Sequence, residues 1–173
     1  PVYQFSKLRT DTFTYINNDK FIVSGNLTEQ NATDILKINF ANEFFINGVK
    51  LNLNYVISDI PNSPVLADVN GDGLQEIMFT GDGKVYAVNS KGVLLENFPV
   101  NFDRNISSGI SVADINNDNI FDLIFAADNG DLFAYGTDGK ILSGFPIKAG
   151  PNTVSTPVIA KFNDTLGIVV FSG

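Results

Sequence analysis

Pro64-Val-Leu-Ala-Asp-Val-Asn-Gly-Asp-Gly-Leu-Gln-Glu-Ile-Met-Phe79 recurs downstream as Ile110-Ser-Val-Ala-Asp-Ile-Asn-Asn-Asp-Asn-Ile-Phe-Asp-Leu-Ile-Phe125. Asp68 and Asp114 lie 46 positions apart, and a further 46 reaches Ala160 within Thr156-Pro-Val-Ile-Ala-Lys-Phe-Asn-Asp164. That third copy keeps the strand pattern and loses most of the acids. The flanking segments repeat too: Gly83-Lys-Val-Tyr-Ala-Val-Asn-Ser-Lys-Gly-Val-Leu-Leu-Glu-Asn-Phe-Pro-Val100 matches Gly130-Asp-Leu-Phe-Ala-Tyr-Gly-Thr-Asp-Gly-Lys-Ile-Leu-Ser-Gly-Phe-Pro-Ile147. Worn copies occupy Glu43–Tyr55 and Val2–Lys7, which places Tyr15, Tyr55, Phe98 and Phe145 at one equivalent position per unit. Self-similarity at a fixed period means one supersecondary unit stacked on copies of itself.

Each unit reads as four short strands, in the best copy 64–69, 76–81, 85–90 and 94–100. Gly81-Asp-Gly-Lys84 and Ser90-Lys-Gly92 supply hairpin turns. Val85, Ala87 and Asn89 alternate with Tyr86, Val88 and Ser90, so both faces of the strand are apolar or small. Such strands are sandwiched between neighbouring sheets rather than wetted on one side. Four strands at a period near 46 predict an all-β chain of β-propeller blades, each of four antiparallel strands. The units parse as a half-blade at 1–18, blades at 19–57, 58–103 and 104–150, and a half-blade at 151–173, about four blades' worth. A part of a seven- or eight-bladed ring is expected, ahead of a half-ring completed by a second copy. A four-bladed ring closed by pairing residues 2–6 with 167–171 ranks last. Open blade edges would invite association.

The loop between the first two strands carries the chemistry. Asp68, Asn70, Asp72 and Glu76 in one copy, and Asp114, Asn116, Asp118 and Asp122 in the other, put side-chain oxygens at positions 1, 3, 5 and 9. The backbone carbonyls of Leu74 and Ile120 add position 7. Five or more hard oxygen donors on one tight turn suit calcium, which takes about six to eight at irregular geometry, better than magnesium with its near-octahedral shell. Two Ca2+ sites are therefore expected. Gly73 and Asn119 stand where the turn needs a positive φ. An EF-hand is excluded because position 12 holds Phe79 and Phe125 instead of a bidentate Glu, between strand-like flanks. No ion is expected in the first full unit, where Asp34 alone keeps register, or in the last, where Ala160, Phe162 and Ile168 replace three ligands.

These units resemble FG-GAP/VCBS repeats, the blades of integrin-α-like and related bacterial propellers. The likeness rests on Pro-Val-Leu-Ala-Asp-Val-Asn-Gly-Asp-Gly, Lys-Val-Tyr-Ala-Val-Asn and Gly-Phe-Pro-Ile, and runs from about residue 60 to the end. It implies calcium on one face of the disc and ligand-binding loops on the other, here 57–63, 81–84, 101–109, 128–131 and 148–155.

Composition narrows the function further. The 173 residues carry 11 basic against 19 acidic groups, a net charge of −8, which disfavours nucleic acid as a partner. Neither Cys nor His occurs, so disulfides, thiolate metal sites and His-dependent catalytic arrangements are absent. Apolar runs such as Ile168–Phe171 are far short of the ~20 residues of a membrane helix, and the first residues carry no signal-peptide pattern. Of the remaining acids, Asp59, Asp103, Asp128 and Asp131 fall near the ligand face without a distinctive pair. Asp103 and Arg104 read as a solvated turn, and the recurring aromatics as packing between blades. The expected function is a calcium-stabilised binding or adhesion module for a protein or carbohydrate ligand, extracellular or at the cell surface. The lack of Cys points to a bacterial or archaeal one. The alternative is a segment of a secreted polysaccharide lyase or protease.

Overall fold

The computed structural model describes residues 19–29, 33–102, 104–151, 155–163 and 165–171. All regular elements among them are strands. β1 (Asp19–Gly25), β2 (Asp34–Asn39), β3 (Phe44–Ile46) and β4 (Val49–Lys50) form the first sheet. β5 (Val65–Ala67), β6 (Glu76–Gly81), β7 (Lys84–Val88) and β8 (Val100–Asn101) form the second. The third holds β9 (Ser111–Ala113), β10 (Asp122–Ala126), β11 (Asp131–Gly136) and β12 (Ile147–Lys148), and β13 (Val158–Phe162) pairs with β14 (Thr165–Val169). Every pairing is antiparallel between consecutive strands. The turn between β6 and β7 has positive φ at both Asp82 (49°) and Gly83 (69°), the backbone twist that a two-residue hairpin requires.

The first strands touch across sheets, β1 against β5, β5 against β9 and β9 against β13, so they gather on one side while β4, β8 and β12 lie outermost. That radial order is the order of propeller blades. Residue alternation within the middle strands glues the stack. Ile77 and Phe79 of β6, with Tyr86 and Val88 of β7, pack on Leu36, Ile38, Phe44 and Ile46 of the first sheet. The intervening Met78, Val85 and Ala87 pack on Leu123, Phe125 and Phe133 of the third. Ile124, Ala126, Leu132 and Ala134 then meet Ile159 and Ile168 of the last sheet. β6 and β10 are buried on both faces, which is why Ile77–Phe79 and Leu123–Phe125 show no polar side, whereas β2 of the first sheet alternates buried with half-buried positions.

The recurring aromatics lie in these seams. Tyr55 stacks on Tyr86 with ring centroids 5.8 Å apart, Phe98 is buried, and Phe145 packs against the third cluster. The fourth strands differ from expectation. Leu94 makes only an isolated bridge to Val88, and the chain then turns through Asn97 at φ 69°. Pro99 brings no N–H for a ladder, so regular pairing resumes only at Val100. Tyr15, Asp103 and the proposed pairing of residues 2–6 with 167–171 fall outside the described residues.

Candidate metal-binding loops

The two loops share most of their hydrogen bonds and differ in which amides the first Asp accepts from. Asp68 accepts from the amides of Gly71 (2.7 Å) and Gly73 (2.9 Å); Asp114 accepts from those of Asp118 (3.1 Å) and Asn119 (2.9 Å). Asn70 Oδ1 caps the amide of Asp72 and Asn116 Oδ1 that of Asp118, at 2.8 and 2.9 Å. Asp72 and Asp118 cap Leu74 and Ile120, each at 2.8 Å. These are successive turns in which short polar side chains bond the backbone two residues on. The turns need positive φ at positions 4 and 6, met by Gly71 (77°) and Gly73 (88°), and by Asn117 (62°) and Asn119 (66°). The position-4 requirement was missed in the sequence, although Gly or Asn stands there in both copies.

Position 9 begins the second strand and is buried. Glu76 and Asp122 are each 1% exposed, and accept from the amides of Val69 (3.1 Å) and Ile115 (3.0 Å). Asn70 Nδ2 also donates to Asp72 (3.1 Å) and Glu76 (3.0 Å), and Asn116 Nδ2 to Asp118 (2.9 Å). Burial pushes the Glu76 carboxyl above its ordinary range, and the nearby Asp72 and Asp68 push it the same way. Asp122 is raised by burial, Asp118 and Asp114. None of the ion pairs between described residues reaches these carboxylates.

Asp34 occupies position 9 of the first sheet, 1% exposed, with the same bond to a position-2 amide, Leu27 at 2.9 Å. Its surroundings differ. Thr28 donates its amide (2.7 Å) and hydroxyl, and Asn47 Nδ2, from the β3–β4 turn, donates at 2.6 Å. Burial pulls Asp34 upward, but the bonds from Asn47, Thr28 and Leu27 outweigh it and leave its carboxyl below the ordinary value.

As the side chains stand, no three acidic groups among the described residues close on one point. Their oxygens face loop amides instead. The donor set nevertheless fits a hard cation, because a carboxylate offers about four lone-pair sites and each amide takes one. All the expected ligands of a site, Asp68 to Glu76 or Asp114 to Asp122, come from one loop.

On the opposite face a groove of about 610 Å³ is lined by Asp82, Gly83, Phe102, Arg104, Asn105 and Asp128. Arg104 approaches Asp131 at 3.7 Å. Asp82 accepts from the amides of Ser58 (2.8 Å) and Asp59 (3.2 Å), and Asp128 from Asn105 Nδ2 (3.2 Å). Both carboxylates thus hold turns. No helix among the described residues is long and apolar enough to cross a membrane.

No curated protein matches the chain. The crystal structure of BBS1N in complex with ARL6DN, soaked with lead, has the same fold over 87% of this chain, with a TM-score of 0.56 and 12% identity. The chain spans 48% of that one. Residues 68–125, from the first acid of one loop to the strand beyond the other, match the FG-GAP-like repeat, in general a non-catalytic and typically extracellular propeller unit.

Proposed function

We propose that the chain is a calcium-stabilised segment of an extracellular β-propeller that binds a protein or carbohydrate ligand and does no chemistry itself. The observation that carries the calcium assignment is the contrast at position 9. Asp34 is satisfied by side chains of its own sheet, whereas Glu76 and Asp122 are buried among further carboxylates with their protonation shifted upward. A divalent cation relieves that repulsion. Asp68, Asn70, Asp72, Glu76 and the Leu74 carbonyl would hold one ion, and Asp114, Asn116, Asp118, Asp122 and the Ile120 carbonyl the other. The ion supplies charge neutralisation and cross-links the start of the loop to the second strand. Sites of roughly 10⁻⁴–10⁻³ M affinity suit millimolar calcium outside cells. The ligand is assigned to the opposite face, at the groove between the Asp82 and Asp128 turns. Those two acids serve as turn acceptors, which supports binding over acid–base catalysis.

Calorimetric titration should find two calcium ions per chain at millimolar concentration, with one lost in Asp72→Ala and the other in Asp118→Ala. No uptake by the unsubstituted protein would overturn the assignment.

A further inference from the structure

The two loops share most of their internal bonds, but among the described residues only the first is gripped from outside. Asn26 stands at position 1 of the first sheet's loop, where the later sheets have Asp68 and Asp114. Its Nδ2 donates to the Gly73 carbonyl at 2.9 Å, and its amide donates to Gln75 Oε1 at 2.7 Å. The Gln75 amide donates back to the Asn26 carbonyl, also at 2.7 Å. These three bonds bracket Leu74, whose carbonyl is the one main-chain donor assigned to the ion. The Leu74 carbonyl and the Gln75 N–H share one planar trans peptide and point in opposite directions. Anchoring that N–H on Asn26 therefore turns the Leu74 oxygen away from the first sheet and fixes its direction.

Among the described residues nothing equivalent holds the second loop. The residue matching Gln75 is Phe121, 43% exposed, and a groove of about 510 Å³ separates Asn119–Phe121 from Asp68–Gly71 of the sheet before it. Asp68, the counterpart of Asn26, spends its oxygens on its own loop. Gly25 fits the same pattern. A Cβ there would collide with Gln75 Oε1, whereas the corresponding positions of the next two sheets hold Ala67 and Ala113.

Building on the calcium assignment above, we infer that Asn26 and Gln75 are positioning residues, which preset the Leu74 carbonyl and tie cation binding in the first loop to docking of the first sheet. The two sites are consequently unequal, with the first the tighter. Linkage makes the coupling reciprocal, so an ion in the first loop also holds the first sheet against the second.

The test uses single-site proteins. Asp118→Ala leaves only the first loop competent and Asp72→Ala only the second. Adding Asn26→Ala together with Gln75→Ala should weaken calcium binding about fivefold or more in the first protein, the scale of ordinary inter-site coupling, and leave the second unchanged. In the Asp118→Ala protein, without the clamp substitutions, calcium should also slow hydrogen exchange at the Asn26 and Gln75 amides. That measurement stands even if the combined variant folds poorly. Calcium uptake in both single-site proteins, with no selective loss in the first and no change in exchange at those amides, would overturn the inference and leave the calcium assignment standing. No uptake in either would remove both.

Discussion

Replacing Asp34 by Ala should destabilise the protein by about 4 kcal/mol, and most of that loss should persist in chelator. The magnitude follows from what the carboxylate holds. The Leu27 amide sits in a residue that is 0% exposed, so losing its acceptor leaves a buried orphan donor at a cost of about 1–3 kcal/mol. The Thr28 amide and Asn47 Nδ2 are only part-buried and regain water, so each gives up about 1 kcal/mol of net bonding. Asp34→Asn keeps the shape and one acceptor and should cost roughly half as much. The folded carboxyl lies below its ordinary value of 3.8, so its stabilisation is fully present above that pH. It is lost as pH falls through the lower folded value, because there the unfolded chain binds the extra proton. The unsubstituted protein should therefore lose stability more steeply below about pH 4 than Asp34→Ala does. Urea unfolding in chelator and in millimolar calcium, across a pH series, measures all of this. A loss under about 1 kcal/mol, or one present only in calcium, would refute the view that internal donors satisfy this position.

Asp72→Ala and Asp118→Ala should behave in the opposite way. Each should forfeit about 1.4 kcal/mol at calcium tenfold above its dissociation constant and little in chelator, as read from melting curves. Phe125→Ala should cost about 3–5 kcal/mol in urea unfolding, since its ring lies 4.9 Å from Phe102 and 5.8 Å from Phe133 in the seam between two sheets. Phe121→Ala, on the open groove, should stay within about 0.5 kcal/mol. Asp82→Ala frees the amides of Ser58 and Asp59 and should cost about 1–2 kcal/mol, with faster hydrogen exchange at those two positions irrespective of calcium.

The blades were legible because the repeat carries its own physics. A middle strand packed on both faces must be apolar at every position, and Ile77–Phe79 and Leu123–Phe125 are. The loops were legible because a turn built on side-chain acceptors needs Asp or Asn at fixed spacing. The fourth strand was misjudged: Leu94–Val100 has the composition of a strand, but the positive φ at Asn97 and the missing N–H of Pro99 break the ladder. Asp34 could be aligned by register, yet its partner Asn47 comes from a turn 13 residues away. The grip of Asn26 on Gln75 spans 49 residues and depends on how two sheets stack, which no local pattern records.

These last two contacts are connected. In the first sheet the position-9 carboxylate is satisfied by uncharged donors, Thr28 and Asn47, and position 3 is Thr28 itself. The position-1 side chain, Asn26, bonds the Gly73 carbonyl in the loop of the next sheet. It is Asn rather than Asp, and it reaches outward to the next sheet with both its main chain and its amide. In the second sheet position 1 is Asp68, committed inward to Gly71 and Gly73, and the next boundary is left as an open groove beside Phe121. An Asn at position 1 can thus reach its neighbour's loop, whereas an Asp committed to the amides of its own loop does not. Substituting Asp34 consequently tests more than one carboxylate. If Thr28 and the Leu27 amide lose their anchor, the Asn26 main chain beside them shifts as well, and calcium affinity should fall in the first loop before it falls in the second.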